Sequence, residues 1–265
     1  MDNRGGELIV VGCGTVVPEP DRGSSAYFVS LDGSQVMFDC GPGAVQGLTR
    51  LGLPWAAISD LVITHFHTDH VGALPGLFFA LKHGLQYPRE ERLTVWGPRG
   101  TVSFFECMAA AFGDFIIHPN FAMEIHELEP DGEGVLSGGA RLRAHKTPHT
   151  KESLAYRLDG EAGSFGYTGD SGPTDALGPF MSKVDVLLCE CSLRDEEMNY
   201  SHLSPTSVAT IANAAHPGKL ILTHMYPHLR LGVDVVSLVA AAGYDGYVEL
   251  AEEGFRAMLT NTNPA

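Results

Sequence analysis

"THFHTDH", residues 64–70, follows the apolar run "LVI" (61–63) and places three histidines and an aspartate within six positions. Residues two apart at the extended end of a strand point the same way, so His65 and His67 can face one ion together. Asp69 and His70 lie where the chain turns toward a helix starting near Gly72, and can face a neighbouring point. One turn can therefore serve two cations. Imidazole and carboxylate donors suit zinc, manganese or iron(II), and a catalytic ion keeps one position open for water. Two ions need further donors from elsewhere. His149 in "TPHTKESLAYRL", Asp170 in "YTGDSG" and His224 in "LILTH" each follow or end a strand-like run. Such positions are where an open sheet presents functional groups. An aspartate between two ions can bridge them, a role that Asp170 fits.

Outward from this cluster, apolar runs bounded by glycine and turn residues read as strands at 7–14, 25–33 and 34–41, the last two joined at Asp32-Gly33. Helical periodicity follows at 44–52, 72–84 and 101–113, with Gly52, Gly84 and Gly113 as stops. Further strands are expected at 122–128, 140–147, 153–159, 164–168, 184–191 and 219–224. Helices are expected at about 204–216, after Ser204-Pro205, and near 233–242, with "GYVELA" as the closing strand and "EPDGEGVLSGG" (129–139) as a surface loop. The two-part rhythm predicts two stacked sheets with helices on their outer faces, in one domain over 1–265.

The chain has 265 residues, 44% of them hydrophobic and 18% charged, enough to bury a large core. It holds no run of eighteen apolar residues, and "MDNRGGELIVVGCG" lacks the plan of a secretory leader, so a soluble, untargeted, cytoplasmic protein is expected. Five cysteines, mostly inside apolar runs, argue for core thiols over disulfides, and Cys189 and Cys191 lack the second pair of a structural zinc site. Seventeen basic against thirty-two acidic residues give a net charge of −15, which repels a long phosphate backbone.

Taken together these residues resemble the metallo-β-lactamase fold hydrolases, and within them the ribonuclease Z-like branch. "HFHTDH" is similar to that branch's H-x-H-x-D-H motif, "FDCGPG" (38–43) to its acidic-glycine motif, "TGDSG" to its Gly-Asp motif and "LTH" to its final histidine. The resemblance implies an α/β fold built as a four-layer αββα sandwich, and two divalent ions, zinc first, with manganese or iron as alternatives. It implies His65, His67 and His149 around one ion, Asp69, His70 and His224 around the other, and Asp170 shared. His145 competes with His149, but "HTKESLAYR" resembles the family's histidine, spacer, serine and tyrosine-arginine stretch. Asp39 is expected to orient ligands by hydrogen bonds. "LLCECS" and "SHLSP" resemble the segments that keep a glutamate and a histidine beside the metals, here Glu190 and His202. The pair could protonate a leaving oxygen, while Glu190 also reads as a structural salt bridge. Asp69 is expected to position the nucleophile as well.

Two departures stand out. Relatives that cut transfer RNA precursors commonly carry a long basic arm, in many of them between the motifs matched by His149 and Asp170, and here only 20 residues separate those positions. The glutamate motif lacks its flanking histidine and threonine. The expected chemistry is therefore attack by a metal-bridging hydroxide on a small or short phosphodiester, with no extended nucleic acid and no membrane as partner. A homodimer is what the resemblance implies. A carboxylic ester, lactone or aryl sulfate ester hydrolase is the alternative of the same fold. An iron-dependent oxidoreductase is less favoured, because His67 stands where the diiron branch resembles H-x-E-x-D and "GCGTVV" lacks the third glycine of a flavin fingerprint. His228 could line the site or lie on the surface. Phe78, Phe79 and Leu81 read as helix packing.

Overall fold

In a computed structural model, residues 5–197 and 199–260 are described. The outer limits of the expected domain, and residues 1–4 of the leader reading, lie outside them. The first half of the chain supplies strands β1 (Gly6–Gly12), β2 (Ala26–Leu31), β3 (Ser34–Phe38), β4 (Asp60–Val62), β5 (Leu93–Pro98) and β6 (Met123–Leu128). The second half supplies β7 (Glu133–Val135), β8 (Arg141–Lys146), β9 (Leu154–Gly160), β10 (Gly163–Tyr167), β11 (Val186–Glu190), β12 (Lys219–Thr223) and β13 (Val248–Leu250). A last strand, β14 (Arg256–Leu259), returns to the first sheet. The two seven-stranded sheets run β14-β1-β2-β3-β4-β5-β6 and β13-β12-β11-β10-β9-β8-β7. β3 to β6 are parallel to one another, as are β10 to β13.

Strands buried on both faces explain the continuous apolar runs of the sequence. In β1, Leu8 and Val10 point between the sheets while Ile9 and Val11 point outward. Tyr27, Phe38, Tyr156, Phe165 and Tyr167 fill the space between the sheets, with Phe38 and Phe165 edge to face at 5.3 Å. Helices α1 (Ala44–Arg50), α2 (Thr68–Val71), α3 (Leu74–His83) and α4 (Thr101–Phe112) belong to the first half. α1, α3 and α4 cover the outer face of the first sheet through Leu48, Phe78 and Phe105. The second half carries α5 (Leu177–Phe180), α6 (Pro205–Ala215), α7 (Pro227–Arg230) and α8 (Val235–Ala241). Their side chains Leu177, Val208, Ile211 and Val239 cover the second sheet. The result is the expected four-layer αββα sandwich.

Three local readings are corrected. The stretch 129–139 is not all loop: its centre forms β7, which pairs antiparallel with β8 at a sheet edge. "GYVELA" does not close the chain, because β14 follows it and pairs with β1 in the other sheet. "LTVWGP" (93–98) forms β5 between β4 and β6, although no strand is expected there. The cysteines are unpaired: Cys13, Cys40, Cys189 and Cys191 are buried, whereas Cys107 is exposed. No helix among the described residues is long and apolar enough to cross a membrane.

Candidate metal centre

The polar residues gather at one end of the sandwich, where parallel strands finish. Asp39 follows β3, His65 follows β4, Asp170 follows β10 and His224 follows β12, while Glu190 is the last residue of β11. This is the rim at which open α/β sheets bind ligands. Polar ties sew the two sheets together there. Leu154 donates its backbone N–H to the Thr64 carbonyl at 3.0 Å, Tyr156 donates to Ile63 O at 3.0 Å, and Tyr167 donates to Asp39 at 3.0 Å.

Two carboxylates organise the imidazoles. Asp39, fully buried, accepts from the backbone N–H and hydroxyl of Thr64, from Tyr167, and from His70 Nδ1 at 2.7 Å. Because the Thr64 hydroxyl donates to Asp39, it accepts from His65 Nδ1 at 3.0 Å. His65 therefore carries its proton on Nδ1 with its Nε2 lone pair facing inward, and His70, held at Nδ1 by Asp39, turns its Nε2 the same way. Glu190 does the same from the second sheet. It accepts from Ser171 N, Leu203 N, the Ser192 hydroxyl and His202 Nδ1, and Ser192 stands 3.0 Å from His224 Nδ1. His149 Nδ1 donates to the Ser201 carbonyl at 2.8 Å. Held at Nδ1 by the Ser201 carbonyl and by the Ser192 hydroxyl, whose own proton goes to Glu190, His149 and His224 aim their Nε2 atoms inward as well.

What faces them is Asp170. Its Oδ1 lies 3.2 Å from His70 Nε2, and its Oδ2 lies 3.6 Å from both His149 and His224 and 3.9 Å from His65. His67 Nδ1 stands 3.1 Å from His149 Nε2, and Asp69 Oδ2 stands 3.2 Å from His224 Nε2. Donors about 2.0–2.1 Å from one tetrahedral ion stand roughly 3.3 Å apart, so this spacing is that of ligand atoms around cations. Among the described residues His65 Nε2, His70 Nε2 and Asp170 Oδ1 are buried without a well-formed hydrogen bond, the His70–Asp170 approach being an ion pair only, a costly arrangement that a cation would relieve. The donors fall into His65, His67, His149 and Asp170 on one side and Asp69, His70 and His224 on the other; Asp170, His202 and His224 make a third grouping. The cluster fits divalent metal binding.

The charges respond to this crowding. Burial, helped by His70, pushes His65 well below the usual histidine range against the pull of Asp170. Burial would lower His70 too, but Asp170 and Asp39 raise it well above that range. Asp170 is held well below the carboxylate range by His224 and His70, in spite of its burial. At His202 burial is outweighed by Glu190, and the imidazole is raised to about 9.

All seven expected ligand residues, together with Glu190 and His202, thus converge. His145 stays apart on β8, bonded to Asp131 at 2.7 Å and stacked on Phe180. His228 pairs with Glu197 at 2.8 Å and is exposed. A cavity of about 410 Å³ over the cluster is also lined by Val16, Phe66 and Tyr226, which sequence reasoning missed. For Phe66 the signal was present, since it stands between His65 and His67.

The sequence profile of the Beta-lactamase superfamily domain matches residues 34–225. A ribonuclease Z from Haloferax volcanii is 26% identical over 300 residues, covering 92% of each chain. The Mycobacterium bovis protein Mb1374, described as uncharacterised, is 32% identical over 248 residues, covering 91% of this chain and 88% of its own. Among solved structures, the metallo-β-lactamase fold protein YhfI from Bacillus subtilis superposes with a TM-score of 0.81 at 22% identity. That superposition covers 95% of this chain and 99% of that one.

Proposed function

The chain belongs to the β-lactamase superfamily, as a ribonuclease Z-like protein of the metallo-β-lactamase fold, and from that membership we propose a metal-dependent hydrolase of small or short phosphodiesters. The reading assigns one divalent ion to His65, His67 and His149, a second to Asp69, His70 and His224, and Asp170 to both. Zinc suits this nitrogen-rich donor set, with manganese or iron able to replace it. When bound, two such cations acidify water toward neutrality and offset the negative charge that builds on the attacked centre.

The chain's own groups do the rest. Asp39 holds His70 directly and His65 through Thr64, and Glu190 holds His202, so these three imidazoles need not turn during turnover. Asp69, at the cavity wall, orients the attacking water through its carboxylate. Glu190 favours the protonated form of His202, which stands beside His149 and His224 with ring centroids 4.9 and 5.8 Å away. His202 passes that proton from Nε2 to the departing oxygen, while Nδ1 stays bonded to Glu190.

The observation that carries the reading is this Glu190–His202 pair at the lip of the donor cluster. A proton donor matters most where the leaving group is a poor one, as in a phosphodiester of an ordinary alcohol. The restriction to small or short substrates is supported by the stretch between His149 and Asp170, which is used up by the β9–β10 hairpin. The net charge of −15 supports it too. The test is turnover by zinc- and manganese-loaded protein of bis(p-nitrophenyl) phosphate, a p-nitrophenyl carboxylic ester and p-nitrophenyl sulfate. Phosphodiester turnover is expected; in His202→Ala, turnover of a diester with an alkoxide leaving group, adenosine 2′,3′-cyclic monophosphate, falls at least about a hundredfold, while bis(p-nitrophenyl) phosphate, whose p-nitrophenolate leaves unprotonated, is affected far less. Ester or sulfate turnover without phosphodiester turnover would overturn it.

A further inference from the structure

The candidate ligands differ in what carries them. His65, Asp170 and His224 follow parallel strands of the sheet interior, whereas His149 stands in the turn between β8 and β9, residues 147–153. Hairpin connections are usually about two to five residues long, so this longer turn needs ties of its own to keep one shape. The ties converge on Lys146, the last residue of β8. Its ammonium donates to the carbonyls of Thr147 at 2.6 Å, Thr150 at 2.7 Å and Ser153 at 3.3 Å. It forms no ion pair with a carboxylate among the described residues, so main-chain oxygens are its partners.

Three carbonyl oxygens turned toward one point repel one another unless a cation sits between them. Thr147 and Ser153 are buried, so water cannot readily take the place of the ammonium at their carbonyls. The turn's other ties are neutral and therefore weaker: Thr147 N donates to Ser153 O at 3.2 Å, and the Thr150 and Ser153 hydroxyls meet at 2.5 Å. The turn in its caged shape reaches the cluster at three points. His149 meets the Ser201 carbonyl of another loop, the Thr147 hydroxyl donates to the Asp170 carbonyl at 2.9 Å, and Pro148 O accepts from Gly172 N at 2.6 Å. Asp170 has independent support, because the next residue, Ser171, donates its N–H to Glu190 at 2.7 Å. Slack in the turn would therefore fall on His149, whose Nε2 stands 3.6 Å from Asp170.

We propose that Lys146 is a positioning residue: its ammonium gathers the carbonyls of the β8–β9 turn and so sets how tightly the ion of His65, His67 and His149 is held, without setting the hold on the ion of Asp69, His70 and His224. This rests on the two-cation reading above. The test is stepwise zinc binding by the full chain, read by competition with a chromophoric chelator, with thermal melts to show that each variant folds. Lys146→Met keeps the length of the stem without its charge. Lys146→Ala removes the atoms that n-propylammonium can replace, and tetramethylammonium, a cation with no N–H, is the control.

In both variants one of the two zinc ions is expected to bind about 10- to 100-fold more weakly, and the other to stay within about threefold. Propylammonium brings Lys146→Ala back to within about threefold of the unaltered chain, and tetramethylammonium does not. Added to His149→Ala, Lys146→Met causes less than about a threefold further loss, because the side chain it places is gone. Folded Lys146→Met that binds both ions as tightly as the unaltered chain overturns the role and leaves the metal centre standing. So do equal weakening of both ions, a loss that propylammonium leaves unrepaired, and losses that add fully in the double variant. An unaltered chain that binds no zinc overturns the two-cation reading, and the role of Lys146 with it.

Discussion

At the scale of single residues, two positions explain why the donors are so well aligned. Asp39 and His224 both adopt left-handed backbone, φ 53° and 54°, which non-glycine residues adopt at a cost. Such turns swing the chain off the ends of β3 and β12 and bring both side chains back over the sheets. Asp39 then answers four donors, among them His70 directly and His65 through Thr64. Asp39→Asn keeps the shape and tolerates the same φ, but removes the charge that raises His70. We expect zinc affinity to fall about 10- to 100-fold, read by competition with a chromophoric chelator; unchanged affinity would refute Asp39's part in orienting the ligands. The donor residues were legible because they crowd into a short motif or end apolar runs. The Ser192 hydroxyl and the Ser201 carbonyl were not, because neither a lone hydroxyl nor a main-chain oxygen that holds an imidazole has a pattern of its own.

Among elements, the β8–β9 pair shows how a charged strand is accommodated. Arg143 and Arg157 stand directly opposite each other, a repulsive placement on its own. Asp159 bonds both guanidinium groups at 2.7 Å, and Arg157 also donates to the carbonyls of Phe180 and Ser182. Although burial opposes it, bonding to Arg157 and Arg143 holds the Asp159 carboxyl below its usual range. A depressed folded value stabilises the protein above the ordinary carboxylate pKa, and that contribution is lost as pH falls through the folded one. Asp159→Asn is therefore expected to cost about 1 kcal/mol at pH 7 and progressively less in acid. Thermal melts at pH 7 and pH 3 would show it, and an equal loss at both would contradict the charge argument. The same scale holds most of the misread segments. β7 is a three-residue edge strand among Gly, Asp and Pro, whose turn chemistry masks it, and β14 exists only because β1 offers it a distant edge.

For the whole molecule, the sheet-to-sheet interior is what lets residues from both halves of the chain share one cluster. Phe165 is wholly buried in that interior and meets the ring of Phe38, the residue before Asp39. Phe165→Ala should cost about 3–5 kcal/mol in urea unfolding, and a loss below about 1 kcal/mol would mean that the sheets hold together without it. The layered plan was readable from the strand and helix rhythm, because doubly buried strands and amphipathic helices have different periods. Strand order was not, since pairing such as β1 with β14 leaves no local trace. That pairing sets Gly6 opposite Leu259, so the earliest and latest described strands share one margin of the first sheet. Prising β14 from β1 would thus loosen both at a stroke, yet leave the histidine-bearing rim intact, because that rim is built from the ends of β3, β4, β10, β11 and β12.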